Sequence, residues 1–177
     1  TPAAAQQVPG RDLLDFPLGL LAESAPLSSR MTGSLWNPAS SMLSSTTRAE
    51  FGFAGLTTPQ DQGVRLEMLG GSYRVRPALT ATLSIAQASV SDILRTETDP
   101  QSLGGEIQYG TTLASAGVAT TWANVTAGAA ARYRWASVDT KRSGVFAMDV
   151  GAIVDRVART PIRIAVSSFL LTPSRSK

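Results

Sequence analysis

The sequence predicts an all-β fold, an antiparallel up-and-down β-barrel or part of one, preceded by an extended N-terminal segment. Three observations carry this prediction. From about residue 46 onward, apolar residues alternate with small or polar ones at a period of two, which is the period of a strand and not of a helix. Turn-forming clusters separate the alternating stretches at short intervals, which favours hairpins between neighbours. Nowhere does the chain hold eighteen consecutive apolar residues, so it offers no transmembrane helix. On this reading residues 1–45 form the N-terminal extension, 46–172 the strands, and 173–177 a short tail.

The elements follow in order. Thr1 to Arg11, rich in Pro, Ala and Gln, has no periodicity and reads as irregular. Asp12 to Glu23 is an apolar run broken by Pro17 and Gly19; Pro17 argues against the middle of a central strand, leaving either an edge strand, Leu13 to Leu20 as an eighth, or a buried extended segment. Asn37-Pro38 in SLWNPASSM is a turn signal, with Trp36 as an anchor before it and a short helical turn expected within Ala39 to Ser44.

The first strand sets Ala49, Phe51 and Phe53 on one face. In the second, Val64, Leu66 and Met68 alternate with Arg65 and Glu67, and Gly70-Gly71 is expected to bulge the strand before Tyr73 and Val75 resume. Leu79, Ala81, Leu83 and Ile85 give the cleanest alternation in the chain. Ser91 to Ser102 reads as a polar loop, and Gly104 to Ser115 as a strand with Ile107 and Tyr109 opposite Glu106 and Gln108. Leu113 to Thr121 suits a helix as well as a strand. Val125 to Trp135, VTAGAAARYRW, has a wholly apolar face ending in Tyr133 and Trp135, and an opposite face of small residues with Arg132 and Arg134. Val138 to Gly144 reads as a turn, Phe146 to Val154 as a strand with Asp149 on its small-residue face, and Ile162 to Leu170 as the last strand, with Arg163 among its alternating residues.

Composition narrows the function classes. With neither cysteine nor histidine among 177 residues, disulfides, thiolate or imidazole metal sites and every histidine-dependent triad are excluded. No metal and no cofactor are expected. The glycine pairs introduce no P-loop lysine, and neither G-x-S-x-G nor S-x-x-K is present, so the chain is read as non-enzymatic. Net charge +3 arises from arginines scattered singly, which argues against nucleic acid as a partner.

Alternation alone fits a soluble β-sandwich, with its apolar face inside, as well as a membrane barrel, with that face towards lipid. Three features favour the barrel. Charged residues make up 16%, below the roughly 25% of soluble proteins. The polar faces are mostly Gly, Ala, Ser and Thr, and both lysines fall outside the strands, Lys141 in a predicted turn and Lys177 at the end. Aromatics such as Tyr73, Tyr133 and Trp135 lie near strand ends, as in an interfacial girdle.

Several segments in this order, Trp36-Asn37-Pro38-Ala39, GGEIQYG at Gly104 to Gly110, GAAARYRW, and FAMDVGAIVD at Phe146 to Asp155, resemble the PorV-type branch of the FadL-like outer-membrane barrels. The resemblance covers roughly Leu14 to Leu171. It implies that the N-P-A segment is hatch-like and associated with the barrel lumen, with Trp36, Asn37 and Pro38 as candidate hatch or turn residues. It also implies the outer membrane of a Gram-negative-type bacterium as the location, with a signal peptide removed, and lipid as a partner. Such barrels usually have about fourteen strands, whereas this sequence supplies seven or eight. The chain is thus expected to be the N-terminal part of a longer barrel, an eight-stranded relative, or a sheet completed by another protein chain.

The charged residues of the polar faces, Arg65, Glu67, Glu106, Arg132, Arg134, Asp149 and Arg163, are the candidates for the lumenal side. Asp149 is expected to pair with Arg132, Arg134 or Arg163, either to shape what passes or binds, or as a structural ion pair that sets strand register. The function expected is passage of a small or hydrophobic solute, or anchoring of a secretion or surface complex. The alternatives are a structural subunit completing its sheet against a partner and a soluble periplasmic β-sandwich binding module.

Overall fold

The computed structural model describes residues 33–43, 49–57, 63–91, 94–96, 103–107, 109–138, 141–157 and 160–171. Among these residues a short helix α1 (Gly33–Trp36) and a 3-10 turn (Pro38–Met42) precede nine strands. The strands are β1 (Ala49–Thr57), β2 (Val64–Arg76), β3 (Leu79–Val90), β4 (Leu94–Thr96), β5 (Leu103–Glu106), β6 (Tyr109–Trp122), β7 (Val125–Val138), β8 (Lys141–Val154) and β9 (Ile164–Leu171). Seven of them form one antiparallel sheet in the order β1-β2-β3-β6-β7-β8-β9, and β4 and β5 form a separate two-stranded hairpin. Every neighbour in the large sheet is antiparallel. The sheet does not close on itself among the described residues. The fold is therefore all-β, antiparallel and up-and-down, an open part of a barrel-like wall. The proposed eighth strand, Leu13 to Leu20, lies outside the described residues.

Several local expectations change. No bulge forms at Gly70-Gly71; the β2–β3 register runs unbroken from Val64 to Arg74 and shifts only between Arg74 and Arg76. Because a one-residue slip exchanges the two faces of a strand, the unbroken register keeps Leu66 and Met68 on the same side as Gly70 and Arg74. That side is buried, and Arg65, Glu67, Leu69, Tyr73 and Val75 lie on the other. The stretch expected as one strand from Gly104 is divided, with Leu103–Glu106 paired to β4 and a new strand beginning at Tyr109. Tyr109 itself is buried and opposite Val90. Leu113 to Thr121 is strand throughout. The β7–β8 turn is tighter than expected, since β7 extends to Val138 and β8 starts at Lys141. The helical turn begins one residue earlier than expected, at Pro38, and α1 precedes it.

The inward face is defined by register. Met68, Ala86, Leu113 and Arg134 lie side by side across β2, β3, β6 and β7, and the next rows bring in Ser115, Arg132 and Ala147. On this face α1 seats Leu35, 1% exposed, among Leu66, Met68, Ala86, Ala88 and Leu113, with Trp36 and Ala54 packed alongside. The 3-10 turn lies against β3, β6, β7 and β8. Large apolar residues point inward on β2 and β6 because α1 brings a leucine for them to bury. On β7 and β8 the inward residues under the turn, Gly128, Ala130 and Gly151, are small, and its atoms come close there.

Candidate functional site: a turn seated on the inward face of the sheet

The Trp-Asn-Pro-Ala segment forms its turn by local chemistry. Asn37 has an extended backbone, and its side-chain oxygen accepts a hydrogen bond from the Ala39 amide at 3.0 Å. It thereby caps a helical start whose amides have no earlier carbonyl to bond. Pro38 follows at the first helical position, where it costs no hydrogen bond. The Ser41 hydroxyl donates to the Pro38 carbonyl at 3.0 Å, and the Ser40 amide to the Asn37 carbonyl at 2.9 Å. Asn37, Pro38, Ala39, Ser40 and Ser41 are all buried.

Two glycines receive this turn. Gly128 on β7 and Gly151 on β8 are opposite one another in the register. A Cβ added to Gly128 would strike the Ala39 amide nitrogen and approach the Ala39 Cα to 2.9 Å. One added to Gly151 would overlap the Asn37 carboxamide, with Cγ at 2.8 Å. Gly128 and Gly151 thus make a saddle, with the Pro38-Ala39 backbone directly on Gly128 and the Asn37 carboxamide and Pro38 ring on Gly151, close approaches for which glycine is suited.

A buried ion pair stands beside the saddle. Arg132 on β7 and Asp149 on β8 are diagonal neighbours, since Ala130 is opposite Asp149 and Arg132 opposite Ala147. Their side chains form a salt bridge, each residue about 1% exposed. The Arg132 guanidinium also donates to the Leu35 carbonyl at the end of α1. One side chain therefore ties two strands and the N-terminal segment together, and the carboxylate neutralises the cation that does so.

The other candidate residues are distributed differently. Arg134 shares the inward face with Arg132, two residues along β7. Arg163 precedes β9 and pairs with Asp155 after β8, both partly exposed, and so does not reach Asp149. Arg65 and Glu67 pair with each other at 2.8 Å on the outward face of β2. Their expected lumenal placement is replaced by an outward one because β2 passes Gly70-Gly71 without a bulge. Glu106 ends β5, in the small hairpin and outside the large sheet. Trp36 is half-buried against the Leu35 cluster. The sequence reading names Ala39 only as part of the Trp-Asn-Pro-Ala segment and does not single out Gly128, Gly151 or Leu35. Glycines on the small faces of two adjacent predicted strands were a signal, but only the register shows that they face each other.

The outward face is apolar over most of its height. Phe51 and Phe53 on β1, Leu69 and Tyr73 on β2, Leu83 and Ile85 on β3, Val118 on β6, Tyr133 and Trp135 on β7, Phe146, Met148 and Val150 on β8, and Val166 on β9 are all exposed. Phe51 lies across Gly71, its register partner, so that a Cβ there would meet Cδ1 at 2.9 Å. Polar residues gather at one end, where Arg65 is opposite Ser89 and Glu67 opposite Gln87. The adjoining strands continue that end with Thr112, Ser137 and Arg142. Compared with protein-family models, curated proteins and solved structures, the chain matches none.

Proposed function

We propose that this chain is a wall of an outer-membrane β-barrel, non-enzymatic, with its apolar face in lipid and the Asn-Pro-Ala plug on its lumenal side. The observation that carries the reading is the belt. From the row of Phe53, Leu69, Ile85, Tyr133 and Phe146 to the row of Val125, Val154 and Ile164, nearly every outward side chain is apolar. These rows span eight residues along β7, between Tyr133 and Val125. At about 3.3 Å per residue that is roughly 26 Å along a strand, or about 20 Å across a bilayer once tilt is allowed for. The lipid-facing band of such barrels is about 25 Å tall and bounded by aromatic girdles, and Tyr133 and Trp135 mark one boundary here. Exposed apolar area on this scale is far beyond the few hundred Å² usual on soluble monomers.

A plug held on the inner wall fits a barrel that admits a small or hydrophobic solute selectively, or one that anchors a secretion or surface complex around a blocked lumen. A second reading, a structural subunit whose sheet is completed by a partner, is favoured by the open edges of β1 and β9.

The deciding experiment compares Leu83→Arg with Gln87→Arg. Leu83 is 68% exposed at mid-belt, whereas Gln87 lies at the polar end. In lipid, arginine at the midplane costs about 2–4 kcal/mol and near the interface about 0–1 kcal/mol. Leu83→Arg should therefore lose outer-membrane fractionation and heat-modifiable migration in detergent gels, and Gln87→Arg should keep both. Recovery of the protein without detergent, with Leu83→Arg as soluble and stable as the parent, would sink the membrane reading.

A further inference from the structure

The outward face is grooved. Between Phe51, Leu69 and Tyr73 on one bank and Leu83 and Ile85 on the other, the surface sinks over Gly71 and Ala81 and reaches Ala114. Glycine and alanine leave the floor low while their large neighbours rise around it. The surface lining this groove is almost wholly apolar.

A second recess lies at the polar end, lined by Gln87, Thr112, Trp135, Ser137 and Arg142 with Tyr133 at its inner edge. Register sets the two end to end. Ile85 is opposite Ala114, and in the next outward row Gln87 is opposite Thr112. Tyr133 continues the first row and Trp135 the second, their ring centroids 5.7 Å apart at the junction. The recess presents a guanidinium, two hydroxyls, a carboxamide and an indole N–H, all of which can donate to an anion. No carboxylate lines it. Glu67, opposite Gln87, is engaged by Arg65, and Arg142 is exposed.

From Gln87 to Ala81 the two hollows follow β3 over six residues. At about 3.3 Å per residue that is roughly 20 Å along the strand, or about 15 Å along the membrane normal after tilt. One leaflet of a hydrocarbon core about 30 Å thick has that depth.

We propose that the outer face seats one anionic phospholipid, its phosphate held by Arg142 with Thr112, Ser137 and Gln87 beside Trp135, and one acyl chain running down the groove over Gly71 to Ala81. This proposal rests on the membrane-wall reading above. The groove alone would take any acyl chain, and the recess alone any free phosphate; joined end to end at the depth of one leaflet, they fit a lipid. The planar guanidinium matches a phosphate through paired hydrogen bonds. A zwitterionic lipid offers the same phosphate but brings a quaternary ammonium towards Arg142, and that like charge sets the preference for an anionic headgroup.

The test titrates the detergent-extracted protein with dioleoyl phosphatidylglycerol or dioleoyl phosphatidylcholine, which share their chains and differ in headgroup, and counts bound lipid by native mass spectrometry. The expected result is one retained phosphatidylglycerol, preferred over phosphatidylcholine by about fivefold, the effect of one arginine at a membrane surface. Arg142→Gln should abolish the preference and Arg142→Lys keep most of it. Arg76→Gln, which removes an exposed cation at the far end of β2, should leave it unchanged. Ala114→Phe, which fills the groove where it meets the recess, should weaken retention of both lipids; Ala81→Phe takes its place if Ala114→Phe loses heat-modifiable migration. Equal retention of the two lipids by the parent overturns the proposal. So does an equal loss in Arg142→Gln and Arg76→Gln, which would mean diffuse charge attraction, and so does undiminished retention with the groove filled, which would mean a phosphate site that holds no chain. Failure of the underlying membrane reading is distinguishable, because the protein would then be recovered without detergent before any lipid is added.

Discussion

At the residue scale the controlling feature is the Arg132–Asp149 pair with its link to the Leu35 carbonyl. Two buried charges are kept because each is the other's neutraliser; removing one leaves the other uncompensated, which costs about 3–5 kcal/mol. Asp149→Ala and Arg132→Ala are therefore expected to lower unfolding free energy by amounts in that range, read as shifts in urea midpoint in detergent. The double variant should cost clearly less than the sum, and additivity would mean that the pair is not coupled. The two variants should differ in a second readout. Only Arg132→Ala removes the donor to the Leu35 carbonyl, so it should leave the segment before β1 more open to protease than Asp149→Ala does. Of this arrangement the sequence offered Asp149 and three possible arginines. Cross-strand register made Arg132 the neighbour and sent Arg163 to Asp155.

At the element scale, β2 shows what the sequence could and could not reveal. Its alternation was legible, but which of its faces pointed inward depended on whether Gly70-Gly71 added a residue to one side of the ladder. Without the bulge, Arg65 and Glu67 are outward at the polar end, where their pair is exposed and screened. Exposed pairs contribute about 0–1 kcal/mol, so Glu67→Gln should change stability by less than about 1 kcal/mol, against the much larger loss at Asp149. In β3, β7 and β8 no glycine pair interrupts the alternation, and, Val145 apart, their large exposed apolar residues share the outward face. Leu113 to Thr121 was undecidable by periodicity, and pairing on both sides, to β3 and β7, settled it as strand. The β6–β7 hairpin adds a point no pattern signals. Ala123 holds φ 53°, a left-handed conformation that costs a residue with a Cβ about 1–2 kcal/mol. Ala123→Gly should raise stability by up to about 1 kcal/mol, and no gain would mean that glycine's greater freedom in the unfolded chain cancels the relief.

At the scale of the whole molecule, the same substitution should have opposite meanings on the two faces of the sheet. Gly151 and Gly71 are both strand-interior glycines against which another group rests closely. The Asn37 carboxamide and Pro38 lie on Gly151 from inside, and the Phe51 ring lies on Gly71 from outside. Gly151→Val must push the Asn37 carboxamide and the Pro38 ring off the saddle and the turn with them, because that carboxamide caps a buried 3-10 turn with little room to give. Gly71→Val needs the Phe51 ring, 84% exposed, to swing aside and the Glu50 carbonyl, 3.0 Å from the added Cβ, to yield by a few tenths of an ångström. If the turn blocks the lumen of a membrane barrel, Gly151→Val should raise the rate at which small solutes swell proteoliposomes, with Gly71→Val close to the parent. Both variants should keep heat-modifiable migration, which separates an opened lumen from a collapsed wall. Equal permeability of Gly151→Val and the parent, with protease showing the segment displaced, would mean that the turn braces β7 and β8 without closing the path through the barrel.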